Sequence, residues 1–74
     1  MTDDSLPPSA RFVLDVLEDE SSISRQALLE RTGLPPSTLD GAIERLERRG
    51  YLVSAREPED LRAVRYEYRE RADP

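Results

Sequence analysis

Ser37, Thr38, Gly41, Arg45 and Arg48 have types and spacing suited to one chemistry, contact with a phosphate backbone and with base edges. If residues 36–49 are helical, Leu39, Ala42, Ile43 and Leu46 recur at i, i+3, i+4 and i+7 and turn inward. The outer face is then left to Ser37, Thr38, Gly41, Glu44, Arg45 and Arg48. Ser37 and Thr38 bring hydroxyls and free backbone N–H groups to a helix N-terminus, where the dipole favours an anion. Gly41 has no side chain and lets the helix approach a groove floor. Arg45 and Arg48, one and two turns further on, reach a guanine edge or the backbone. The same pattern also describes an ordinary amphipathic helix with a solvated, charged face. Asp40 and Glu44 lie near that face and repel phosphate.

Other chemistries are poorly provided for. The 74 residues include no Cys and no His. That excludes disulfides, thiolate or imidazole zinc sites, Cys or Ser-His nucleophiles and histidine acid–base work. Glu18, Asp19 and Glu20 cluster without the looped ligand pattern of a hard-cation site, so they read as a solvated helix end. No paired carboxylates fall in a pattern implying a pocket. The expectation is a non-enzyme with no cofactor and no metal. No stretch reaches the roughly 18 apolar residues of a membrane span, and the acidic start is unlike a signal peptide. A cytoplasmic protein without membrane contact is expected.

The outer-face residues need a scaffold, and the patterning supplies one. A chain of 74 residues allows one domain with a small core. Residues 1–8 read as a flexible arm, 9–69 as the domain and 70–74 as a frayed tail. Ser9 is a candidate N-cap for a first helix to about Asp19, with Ala10, Val13, Leu14 and Leu17 on one face and Phe12 and Val16 on an adjacent stripe. Ser21-Ser22-Ile23 breaks it and suits a short strand. Ser24 caps a second helix over about Arg25 to Thr32, ended by Gly33. Pro36 opens the third helix and Gly50 closes it. Two short helices about a Gly-containing turn form a helix-turn-helix, whose second helix enters the major groove. Arg25, at the start of the first of these, is expected to hold a phosphate.

Beyond Gly50 the period changes to 2. Residues 51–56 form one strand candidate, and Val64, Tyr66 and Tyr68 alternate with charged residues in the next. Residues 57–63 between them are polar and contain Pro58, as a hairpin tip would. The tyrosines Tyr51, Tyr66 and Tyr68 are better explained by a sheet packed on helices than by base stacking. The core expected from this arrangement is Val13, Leu14, Leu17, Ile23, Leu28, Leu39, Ile43, Leu46, Leu52, Val64 and Tyr66.

The charge is unevenly placed. Residues 1–24 hold six acids against one Arg, whereas residues 25–74 hold ten acids and ten Arg, so the net −5 belongs to the first third. All eleven bases are Arg. An acid-rich, Lys-free chain suits a halophilic source, and GC-rich codon bias explains the same counts. With no net positive charge in residues 25–74, duplex binding is expected to depend only shallowly on salt, as roughly 2–4 phosphate contacts would give.

The run Leu28-Leu29-Glu30-Arg31-Thr32-Gly33-Leu34-Pro35-Pro36-Ser37-Thr38-Leu39, followed by Ile43-Glu44-Arg45-Leu46-Glu47-Arg48-Arg49-Gly50-Tyr51-Leu52, resembles the winged helix-turn-helix of MarR-type transcriptional regulators. Residues 57–64 are similar to that family's wing. The resemblance puts the wing's Asp-x-Arg pair on Asp60 and Arg62, implying that Arg62 reaches toward the minor groove and Asp60 supports it. It implies an α+β fold: a winged helix-turn-helix of three helices plus a two- or three-stranded antiparallel β-hairpin wing. Two departures stand out. The chain has no room for the family's terminal dimerisation helices, and Pro35 occupies a cap position often held by Ser.

The expected function is regulation of transcription by reading double-stranded DNA with Arg25, Ser37, Thr38, Gly41, Arg45, Arg48 and, on the wing, Arg62. A winged helix serving as a protein-interaction module without DNA binding is the alternative. Helix-turn-helix proteins usually act as two-fold dimers. Leu6, Phe12 and Val16 are the candidate surface for a weak homodimer favoured by high salt, unless Phe12 and Val16 close the core against the tyrosines.

Overall fold

In a computed structural model of the chain, the described residues are 6–57 and 60–70, with the side chains of 57 and 60–62 left aside. The order of elements is α1 (Pro8–Glu20), β1 (Ser22–Ser24), α2 (Arg25–Thr32), α3 (Pro36–Arg48), β2 (Leu52–Glu57) and β3 (Asp60–Tyr68). The fold is the expected winged helix: three helices against one antiparallel sheet of three strands, in the order β1-β3-β2.

Local chemistry sets each boundary. The first helix starts at Pro8, two residues before the start that a Ser9 cap would give, so Ser9 lies inside it. Pro7 is the N-cap residue, with no side-chain cap, and Pro8 sits in the first turn. Proline there gives up an N–H that has no helical partner anyway, and its φ is already helical. At the other end Ser21 adopts φ 68° and donates its N–H to the Leu17 carbonyl. The chain reverses there into β1, where Ile23 pairs with Tyr66 of β3. Ser24 caps α2 as expected, its hydroxyl oxygen accepting the Ala27 N–H at 3.1 Å. Gly33, at φ 68°, ends α2 in the left-handed region.

The end of α3 is a Schellman motif. Gly50 (φ 83°) donates to the Glu47 carbonyl and Tyr51 donates to that of Leu46, both at 3.0 Å. The chain then turns into β2. The strand β3 begins at Asp60, well before the expected Val64, and pairing enters what reads as a polar tip through Glu57 and Asp60. Backbone hydrogen bonding is indifferent to side-chain polarity, and antiparallel pairing runs as far as the backbones stay in reach. An irregularity between Arg56 and Glu57 absorbs the mismatch in register.

The core gathers on the inner faces of α1 and α3. Leu17, Leu28, Leu39, Leu46, Leu52 and Val13 are its largest fully buried side chains. Val64 is only half-buried, packed against this cluster from β3, while Ala10, Val16 and Ala42 lie inside it. Val16, at 6% exposure, therefore cannot line an exposed association surface, whereas Phe12 stays 44% exposed. The two residues of the second stripe of α1 part company because α1 packs against α3, α2 and the sheet together. That environment covers a wide arc of the helix, including Val16, but leaves Phe12 outside. Tyr66 is buried, and Tyr51 and Tyr68 pack half-buried against the core, which leaves no open tyrosine platform for bases. Among the described residues, no helix is long and apolar enough to cross a membrane.

Candidate nucleic-acid interface

The helices α2 and α3 are joined by Gly33, Leu34 and Pro35. The Thr32 hydroxyl fixes the turn from one side: it donates to the Leu28 carbonyl at 2.8 Å and accepts the Leu34 N–H at 3.3 Å. Leu34 packs against the core from within the turn. Four buried residues of α3, Leu39, Ala42, Ile43 and Leu46, then fix its rotation about its own axis.

That rotation exposes Ser37, Thr38, Gly41, Glu44, Arg45 and Arg48 together, the face the periodicity assigns. Pro35 offers no side-chain cap and Pro36 occupies the first turn. The N–H groups at Ser37 and Thr38 are thus not claimed by a capping side chain, and the helix dipole makes that end favourable for an anion. Among the described residues, a Cβ placed on Gly41 would meet no atom within 4 Å. Arg45 forms no ion pair among the described residues. Arg48 lies 3.4 Å from Glu44, both side chains more than 70% exposed.

Arg25 is placed differently from expectation. Its guanidinium does not stand open for a phosphate; it grips the carboxylate of Asp40 on α3. Nη2 donates to Oδ1 at 3.0 Å and Oδ2 at 3.2 Å, and Nε donates to Oδ1 at 3.3 Å. The same guanidinium stands near the Tyr66 hydroxyl, whose pKa is raised chiefly by burial, with the Arg25 charge opposing the rise. Asp40, in turn, meets a cation of its own protein before it meets any DNA. Sequence reasoning missed this pairing. Two opposite charges 15 positions apart carry no local signal, and only the crossing of α2 and α3 brings them together.

The remaining candidates lie elsewhere. The side chains of Asp60 and Arg62 lie outside the described residues. Leu6 is half-buried against the core and Phe12 is exposed on α1. Asp19 and Glu20 do not converge on a cation site: both pair with Arg31 of α2, Asp19 at 3.8 Å.

The MarR family matches over residues 4–63. The structure is similar to the BpsR protein of Bordetella bronchiseptica, whose DNA binding is regulated by 6-hydroxynicotinic acid, with 29% identity and a TM-score of 0.80 over 93% of this chain and 52% of that one. It is similar to the PcaV transcriptional regulator of Streptomyces coelicolor, with 30% identity and a TM-score of 0.81 over 89% of this chain and 48% of that one. The transcriptional regulator Tm0710 of Thermotoga maritima superposes at a TM-score of 0.78 with 28% identity, over 90% of this chain and 47% of that one. No curated protein matches the sequence. The chain spans about half the length of the solved structures it matches. The match over residues 4–63, joined to the helix-turn-helix and three-stranded sheet, makes this chain a member of the MarR family.

Proposed function

We propose that the chain regulates transcription by binding double-stranded DNA, with the outer face of α3 in the major groove and the wing at 57–63 on the backbone or minor groove. Gly41 carries this reading. Glycine in a helix interior costs about 1 kcal/mol relative to alanine. Nothing among the described residues accounts for that cost, since Gly41 is exposed and a Cβ there meets open space. A residue chosen for having no side chain, on the outer face of a helix, fits a surface that another body approaches closely. Ser37 and Thr38 then meet phosphate at the helix N-terminus, Arg45 reaches a base edge, Arg48 meets the backbone, and Arg62 with Asp60 serves the wing.

The experiment is selection of binding sites from random duplex DNA with the full chain. Enrichment of a defined motif, relaxed at one position by Arg45→Ala, is the expected result. A selection that enriches nothing would leave α3 as the surface of a protein-interaction module. One recognition helix reads few base pairs, so the chain acts as a two-fold dimer on DNA, with Phe12 and Leu6 as the candidate contact. Sedimentation should show association that increases with salt and is lost in Phe12→Ser. A parent monomeric at low and high salt would remove that surface from consideration.

A further inference from the structure

Two of the arginines that face the proposed DNA side are held by carboxylates of α3 itself. Asp40 accepts hydrogen bonds from Arg25 on both oxygens, and Glu44, one turn further along, stands 3.4 Å from Arg48 as an i,i+4 ion pair. Pairs this open to solvent add little to stability: Asp40 is 57% exposed and Glu44 72%. Their larger effect falls on approaching anions. A guanidinium engaged by a carboxylate has its donor fork occupied by the group a phosphate would imitate, and a phosphate must displace it. Arg45, next to Glu44 on the same helix, has no such partner among the described residues. Non-specific binding to DNA is almost wholly phosphate electrostatics, whereas specific binding adds base contacts. A helix face that keeps its phosphate-binding cations occupied and one base-reading cation open weakens the first kind of binding more than the second.

We propose that Asp40 and Glu44 are specificity-determining residues, which occupy Arg25 and Arg48 in the free protein and so suppress binding to DNA of arbitrary sequence. This inference rests on the reading of α3 as the DNA-binding helix. On a specific site, the contacts of Arg45, Ser37 and Thr38 hold the helix in place while phosphates exchange for the two carboxylates. On any other sequence that exchange is unsupported.

The test is a fluorescence-anisotropy titration of the full chain with a labelled random-sequence duplex between 50 and 200 mM salt, with thermal melts to show that each variant is folded. Asp40→Asn/Glu44→Gln should bind the random duplex more tightly than the parent and with a steeper salt dependence. Each freed arginine adds about 0.9 to the slope of log affinity against log salt, so the double variant should lose about 12-fold more affinity than the parent across that range. Arg25→Gln/Asp40→Asn has the net charge of the parent and should bind as the parent does. A selected motif should gain less from Asp40→Asn/Glu44→Gln than the random duplex gains. The proposal is overturned if Asp40→Asn/Glu44→Gln binds the random duplex no more tightly, or if Arg25→Gln/Asp40→Asn keeps the gain of Asp40→Asn alone. It is also overturned if the selected motif gains as much as the random duplex. If parent and variants bind neither random nor selected duplex at 50 mM salt, the DNA-binding reading itself fails, and this inference with it.

Discussion

The helices α1 and α3 are built alike on the inside and charged differently on the outside. Each has 13 residues, each begins with proline in its first turn and lacks a side-chain cap. Each buries an apolar face in the shared core, and the two pack against one another. Their outer faces diverge. The last turn of α1 contains no base and ends on Glu18, Asp19 and Glu20, against the helix dipole. The last turn of α3 carries Arg45 and Arg48, with the dipole. The inner faces answer to packing and obey one rule. The outer faces are free of core packing, so their charges are set by neighbouring side chains and by what each helix meets outside the protein.

Breaking the inner likeness should have the largest effect, and an equal one on both helices. Leu17 and Leu46 are each fully buried, and truncating either to alanine should cost about 2–5 kcal/mol of stability. For a domain this small, that is a large part of the total. Chemical denaturation of Leu17→Ala and Leu46→Ala checks it; a variant that unfolds at the parent's midpoint would contradict the facing of its helix. Breaking the outer difference should affect DNA binding and leave folding alone. Arg45→Ala should weaken binding to a selected motif by about 1–3 kcal/mol. Arg11→Ala, on the exposed face of α1, should leave that affinity unchanged.

The inner faces were legible because burial imposes a period. Leu39, Ala42, Ile43 and Leu46 announce α3 without any knowledge of its neighbours, and Ala10, Val13, Leu14 and Leu17 do the same for α1. Period alone could not place Val16 and Phe12, which sit side by side along α1 and separate only when the packing around that helix is known. The helix α2, with Leu28 as its only buried residue, was legible through its ends, from the Ser24 cap and from Gly33. The early start of β3 was hidden by the polarity of residues 57–63, since strand pairing there depends on backbones rather than side chains. On the candidate interface, exposure of the α3 residues followed from the same period. The grip of Asp40 on Arg25 did not, because it depends on the angle between two helices.

Smaller effects sharpen the contrast further. Gly41→Ala should raise stability by up to about 1 kcal/mol, as its Cβ enters open space, while weakening duplex binding by crowding the groove. A thermal melt and an anisotropy titration on the same preparation separate the two effects. Smallest of all is the correction that α1 receives from its neighbour. Arg31 of α2 faces Asp19 and Glu20 at the unfavourable end of α1, and Arg31→Ala should cost less than about 1 kcal/mol, an effect that diminishes with added salt. No change in DNA affinity should accompany it, since Arg31 lies off the α3 face.

The central claim is that the outer face of α3, and not that of α1, meets DNA. Amide chemical shifts of the isotopically labelled full chain, followed as a selected duplex is added, test it residue by residue. The expected result is that the largest shifts fall on Ser37, Thr38, Gly41, Arg45 and Arg48, while Arg11, Asp15 and Glu18 on the exposed side of α1 stay in place. Shifts concentrated on α1, or a spectrum unmoved by saturating duplex, would contradict it.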